Sequence, residues 1–405
     1  MDEAVSARPW RRDYWLGTVD PRPLAAFRIG VGLLLISDLV SRARQLTTFL
    51  TDDGILPRGA QPERWAWSLL DLVGSTTGVA VLLGLAFVCV IAFTLGYRTR
   101  LATLLTWLFV LSLQNRNLTI VDGGDDLMRV LLFWGVFTDL GGAWSLDVWL
   151  GRRPRARVFA LGARLMQWEI PLVYLAGGYL KIRGSWLGGD AIYQTMQLTG
   201  FVRPLGHALL SVPWLCTAMT FGTLVIETSV SVLFVTPFFS RPARVLGIFM
   251  ATGLQLGILL TMRVGIFTGL MLVVNVIYVL PESFDAIERW WHRRRGSEPA
   301  PISATSPPLF GRFAPAVAIV LVVHLGLISA SNLVARTPAV VDQELKWLGL
   351  NQGLNLFTRS VPVARWHADG VLASGRTVDI LPFTAPEMQP AVEHWFNRWT
   401  KLIFK

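Results

Sequence analysis

Two cysteines and five histidines in 405 residues leave little with which to hold a metal. Cys89 and Cys216 each sit inside an apolar run, where a thiol packs as a small hydrophobe, so they read as space-filling rather than as a disulfide or a ligand pair. His207, His292, His324, His367 and His394 never recur at helical spacing. A metal enzyme is therefore not expected. The chain also lacks a glycine-rich phosphate loop and a Gly-x-Ser-x-Gly elbow. Charge is scarce: 16% of residues are charged against 53% hydrophobic, with mean hydropathy +0.49. That balance excludes an ordinary soluble globule and points to an all-α polytopic membrane protein. Acidic residues are scarcer still, 27 against 37 Lys and Arg, giving a net charge of +10. The excess lies scattered in short loops between apolar runs, which marks cytoplasmic membrane loops rather than a nucleic-acid surface. No cleavable signal peptide, no fixed-length repeat and no inverted repeat with matched broken helices is visible, and the last absence argues against a transporter.

What is present is a series of apolar runs long enough to span a bilayer. About nine transmembrane helices are expected, near residues 23–41, 76–96, 101–120, 126–142, 164–183, 213–238, 243–261, 264–280 and 314–335. Ahead of them, residues 1–22 form a basic, aromatic cytoplasmic segment suited to the headgroup layer. Residues 23–282 make the membrane core, 283–312 a basic cytoplasmic linker, 313–336 the last span, and 337–405 a small extracytoplasmic α+β tail. An interfacial helix is expected around Trp65 and Trp67, and a re-entrant or interfacial segment over 184–212. In the tail, Ser374-Gly375 between apolar flanks predicts a hairpin, and Trp395, Phe396, Trp399 and Lys401 an amphipathic helix. With the N-terminus inside, the basic loops at 97–100, 143–160, 239–244 and 282–312 all fall on one side. The C-terminus then lies outside, as do Lys181, the loop from Asp122 to Asp126 and the Arg263 turn.

Several spans carry residues that a bilayer disfavours: Arg28, Asp38, Arg129, Glu169, Lys181, Glu227, Gln255 and Asn275. Such groups are functional suspects by default, although most can simply pair to hold a bundle together. Arg28 and Glu227 fit that plainer reading. Asp122, Asp125 and Asp126 read either as a solvated turn with a helix cap, favoured by Gly123-Gly124, or as a binding loop. Lys181, at the end of a glycine-rich helix, can snorkel to the headgroups. Held dry instead, a lysine can serve as a general base.

The segment Val173-Tyr174-Leu175-Ala176-Gly177-Gly178-Tyr179-Leu180-Lys181, followed by Gly184-Ser185-Trp186 and Gly189, resembles the stretch of vitamin K-dependent gamma-glutamyl carboxylases that holds their catalytic lysine. Further agreement comes from Asp20-Pro21 through Phe27-Arg28-Ile29-Gly30, Gly96-Tyr97-Arg98-Thr99, Ser145-Leu146-Asp147 and Val264-Gly265-Ile266-Phe267. The bacterial-type Asn115-Arg116-Asn117 with Asp122-Gly123-Gly124-Asp125 adds to it. Over about residues 20–282 the chain resembles the horizontally transferred transmembrane (HTTM) domain shared by that carboxylase and many bacterial proteins. The resemblance implies Lys181 as the base that deprotonates a reduced quinone, whose reaction with oxygen drives carboxylation and epoxidation. It also implies a pocket shaped by Arg116, Asp122, Asp125, Asp126, Trp186 and Gln255. Two departures stand out: Asp125 and Gln255 occupy positions where the carboxylase has histidines. The long luminal region that grips carboxylated substrates is missing as well. The expectation is a bacterial inner-membrane, carboxylase-like enzyme with a hydrophobic quinone or lipid ligand and a secreted peptide as substrate. The alternative is a non-catalytic maturation or export partner, or a lipid-binding scaffold.

Overall fold

Short polar residues ahead of the apolar runs start the helices. Asp20 caps α1 (Pro21–Arg44), its carboxylate accepting the Arg22 amide at 2.8 Å with Pro21 in the first turn. Ser75 caps α2 (Thr76–Leu95), and Gly96, at φ +72°, ends it in the left-handed conformation that glycine adopts without strain. Then come α3 (Thr99–Asn115), α4 (Gly123–Val136), α5 (Ala160–Arg183), α6 (Pro213–Val235), α7 (Ser240–Thr261), α8 (Phe267–Val274), α9 (Pro281–Arg295), α10 (Ala314–Leu333) and α11 (Ala339–Trp347). The structure, a computed structural model, describes residues 8–60, 65–198, 201–296, 301–302, 304–305, 310–333, 338–352, 369–371 and 377–379.

Among the described residues, five helices are long and apolar enough to cross a membrane: α1, α2, α6, α7 and the run Gly311–Ser331 that contains α10. A sixth joins them if Phe267–Tyr278 and Pro281–Arg294, bent by 94° at their junction, form one span. The sequence pattern predicts nine. The difference has a physical cause in three helices. At 17 and 14 residues, α3 and α4 fall short of the roughly 20 that a bilayer core asks for. The 24-residue α5 is long enough but carries Arg164, Glu169, Lys181 and Arg183.

Each helix from α1 to α8 packs on the next, and α8 closes the ring by touching α1 and α4. Against the outside of α5 lies α10. On one side of the ring three distant segments meet in a small sheet. There β1 (Thr18–Val19) pairs antiparallel with β2 (Ala156–Phe159), which pairs parallel with β3 (Ala304–Thr305). Arg28, Gly96 and Ser145 converge beside this sheet. The Arg28 guanidinium donates to the carbonyls of Thr94, Leu140 and Trp144 at 3.3, 2.7 and 2.5 Å, occupying acceptors left at helix and turn ends. A Cβ on Gly96 would meet Ser145 at 2.5 Å, so that close approach requires glycine. Asp147 braces the turn, accepting from the amides of Arg98 and Thr99 and from the Thr99 hydroxyl at 2.8, 2.8 and 2.7 Å.

Residues 65–68 are irregular, and the helical turn near Trp67 comes later, at Leu69–Leu72, because Ser68 and Asp71 form a capping box there. After α5 the chain folds into short helices at Trp186–Gly188, Ala191–Thr195 and Pro204–Leu209, pinned by a bridge between Val202 and Met262. Beyond α10, the segment through α11 to Gln352 is drawn into the bundle, with Leu345 and Leu350 fully buried. Arg129 donates to the Gly349 and Asn351 carbonyls at 2.5 and 3.3 Å. Gln352 donates to Glu169 at 2.7 Å. Further on, β4 (Asp369–Val371) pairs antiparallel with β5 (Thr377–Asp379). The Ser374-Gly375 turn and the segment bearing Trp395, Phe396, Trp399 and Lys401 lie outside the described residues.

Candidate functional site

One helical face prepares the site. Tyr174, Gly177 and Lys181 recur at the spacing that stacks side chains on one side of α5. Glycines let the neighbouring helix come close, since a Cβ on Gly178 would sit 3.4 Å from the Thr228 methyl of α6. Across that seam the Lys181 ammonium donates to Glu227 Oε1 at 2.5 Å. Each of these two residues is only 8% exposed. The turn after α5 folds the Trp186 ring back over the amine, 5.2 Å from the ring centroid, a cation–π contact. The third wall comes from α7, where Gln255 donates through Nε2 to the Tyr174 hydroxyl at 3.2 Å.

These side chains surround a cavity of about 490 Å³ between α5, α6, α7 and α8, covered in part by Ile192, Thr195 and Met196 of the following segment. Its remaining lining is largely apolar, with Val173, Met219, Ile226, Leu254, Ile258 and Met271. Two buried acceptors on side chains of its wall, Glu227 Oε2 and Gln255 Oε1, have no hydrogen-bond partner among the described residues. Buried acceptors left unmatched cost free energy, so the cavity is chemically suited to a hydroxyl- or amine-bearing ligand with an apolar body. No group of three or more His, Cys, Asp or Glu residues is placed to hold a metal among the described residues.

Of the residues singled out from sequence, Lys181, Trp186, Gln255 and Glu227 meet here. Glu227, read from sequence as part of a structural network, is the partner of the lysine. Tyr174 and Gly177 join them without being candidate site residues from sequence, and their spacing of seven and four ahead of Lys181 is the signal that points to them. The other expected pocket residues do not line this cavity. Asp122 and Asp125 form a capping box at the start of α4, Asp122 Oδ1 accepting the Asp125 amide at 2.9 Å and Asp125 Oδ2 the Asp122 amide at 3.0 Å. Asp125 also meets Arg42 at 3.0 Å, and Arg42 meets Asp38 one turn earlier in α1 at 2.6 Å. Asp126 pairs with Arg129 at 2.7 Å. Arg116 donates to the carbonyls of Leu56 and Thr51 at 2.8 and 3.2 Å, holding the loop after α1. Glu169 accepts from Trp134 at 3.0 Å as well as from Gln352. Asn275 donates to the Thr252 hydroxyl at 3.2 Å.

No curated protein and no solved structure matches the chain. The HTTM domain matches residues 17–282, well over half of its length and the whole ring from α1 to α8 that encloses the cavity. The chain is a membrane protein of the HTTM domain family.

Proposed function

We propose that this protein is a carboxylase-like enzyme of the bacterial inner membrane whose Lys181–Glu227 pair exchanges a proton with an amphipathic ligand held in the cavity. The observation that carries this reading is Glu227 Oε2, buried and unmatched among the described residues on a side chain that lines the cavity, while Oε1 is held by Lys181. A purely hydrocarbon ligand leaves that oxygen orphaned, whereas a ligand hydroxyl satisfies it. A reduced quinone of the vitamin K type fits these residues, with Glu227 and Gln255 to hold its hydroxyls and the apolar lining to take its tail. When bound, such a hydroquinone supplies the electrons for a reaction with oxygen that yields a strong base. Glu227 Oε2 accepts the proton, and the Lys181 ammonium balances the carboxylate before transfer. Trp186 and the segment after it keep bulk water from the pair. The family resemblance implies the proton-accepting role for Lys181 alone; the pairing supports sharing it with Glu227.

The basic loops support nine spans, a cytoplasmic N-terminus and an extracytoplasmic C-terminus, which puts the cavity in the outer half of the bilayer and a secreted peptide within reach as substrate. The test uses the full chain in lipid nanodiscs supplied with vitamin K hydroquinone, measuring its oxidation and any carbon dioxide fixed into peptide. Turnover is expected in the wild type and loss of it in Lys181→Met and Glu227→Gln. Unchanged turnover in both variants would sink the enzymatic reading.

The same ion pair favours a second reading, a non-catalytic maturation partner or lipid-binding scaffold in which Lys181 and Glu227 only lock α5 to α6. Exchanging the charges, Lys181→Glu with Glu227→Lys, separates the two. A scaffold keeps its function after the exchange, and an enzyme does not.

A further inference from the structure

At the opposite end of α5 lies a second cavity, of about 710 Å³, formed by the start of α5, the start of α7 and the chain on either side of β1. Lys181 is about 25 Å along the helix from it, at 1.5 Å per residue. Four arginines line it: Arg157, Arg164, Arg241 and Arg244. Their own carboxylates do not balance them. The lining acids are already engaged, Asp20 with Arg22 at 2.6 Å and Asp13 facing Arg11 at 3.8 Å. Arg241 reaches Glu282 outside the cavity at 2.8 Å. Arg157 donates only to Thr18, and Arg244 has no acidic partner among the described residues. Most telling is Arg164, 8% exposed with no carboxylate within 4 Å among the described residues. It is held by neutral groups alone, donating to the Tyr14 carbonyl at 3.3 Å and to Gln167 at 2.7 Å and stacking on the Tyr14 ring at 4.2 Å. A buried guanidinium without a counter-ion is a costly arrangement that an anion relieves. The uncapped first turn of α7, at Ser240 on the same wall, adds a helix dipole of the right sign.

We infer that this cavity binds the phosphate-bearing headgroup of an anionic membrane phospholipid. Its surroundings fit a lipid rather than a free ion. Phe239 stands exposed on its wall, and Val245, Leu246 and Phe249 carry an exposed apolar strip down α7 on which acyl chains can lie. Basic cavities between membrane helices are the sites at which anionic headgroups bind, through charge and bidentate hydrogen bonds from arginine. This inference does not depend on the activity proposed at Lys181.

The experiment takes the purified full chain into nanodiscs of phosphatidylcholine, with or without phosphatidylglycerol, and reads thermal stability together with lipid retained in native mass spectra. Phosphatidylglycerol is expected to raise the melting temperature and to stay bound, and phosphatidylcholine to do neither. Arg244→Gln is expected to weaken retention roughly fivefold, Arg244→Lys to restore most of it, and the exposed α9 variant Arg294→Gln to leave it unchanged. Arg164→Gln is expected to abolish it. Should that variant fail to fold, the Arg244 series decides. Equal retention of both lipids, or equal loss in Arg294→Gln, overturns the site. Inorganic phosphate that binds by itself and displaces phosphatidylglycerol without any lipid preference overturns the lipid as the source of the phosphate.

Discussion

Two groups of charges are buried in the same ring of helices, and they are built differently. Around Arg42, the guanidinium is met by Asp38 and Asp125, and Asp125 is tied in turn to Asp122 and the amides that open α4. None of these residues lines either of the two cavities described above. Lys181 and Glu227 form another buried pair, but one oxygen of a carboxylate side chain that lines the cavity is left without a partner among the described residues. Intramembrane charge thus divides by saturation: a group whose partners are all protein holds helices together, and a group with a spare valence is positioned for a ligand. Composition and depth alone do not separate the two.

Arg42→Met removes one cation from between two buried carboxylates and is expected to destabilise the fold by about 3–5 kcal/mol, read as unfolding in mixed detergent micelles. Glu227→Gln and Lys181→Met are each expected to lower hydroquinone turnover at least about 100-fold. The double variant should regain the stability that either single one loses while staying inactive. An Arg42 cluster that tolerates its variant, or a Lys181 pair whose double variant regains turnover, would reverse the assignment. Gly177→Leu sharpens the same contrast, because a Cβ there meets nothing closer than 3.5 Å while a longer side chain fills the cavity. Folding should survive and retention of a bound hydrophobic ligand should fall roughly tenfold or more, since the space lost is the space it needs.

The smallest effect is expected at Asp147, outside the spans. Burial works to raise its carboxyl, but hydrogen bonds from Thr99 and Arg98 outweigh burial and hold it below the ordinary aspartate range. A lowered folded value stabilises above the unfolded one, and that stabilisation fades as pH falls through the folded value. Asp147→Asn should flatten the acid side of a melting-temperature profile and leave the neutral side modestly lower.

The apolar runs, the glycine-rich helix and Lys181 itself were legible because length, period and the expense of charge in lipid are local properties of sequence. The pairing was not. Glu227 lies 46 residues from Lys181, and nothing local says which of several spans will face α5. Loop charge assigns Asp125 and Asp126 to the same membrane side as Lys181, but it cannot report position around the ring, and neither residue lines the cavity that Lys181 lines. A first span ending at residue 41 excludes Arg42, whose spacing of four from Asp38 is the signal that includes it. The shortfall in spans has a similar origin. Hydropathy registers the apolar character of α3 and α4, whereas their lengths depend on where Asn117 and Asp122 cap the next turns.

The strap formed by residues 345–352 bears on how the molecule is assembled. Because Arg129 and Glu169 find hydrogen-bond partners in it, the helices around them cannot mature one by one as each leaves the ribosome. The bundle stays incomplete until the chain has been made as far as Gln352. A nonsense mutation just ahead of Leu345 therefore leaves unsealed polar groups in the interior, marking a prematurely terminated product for proteolysis.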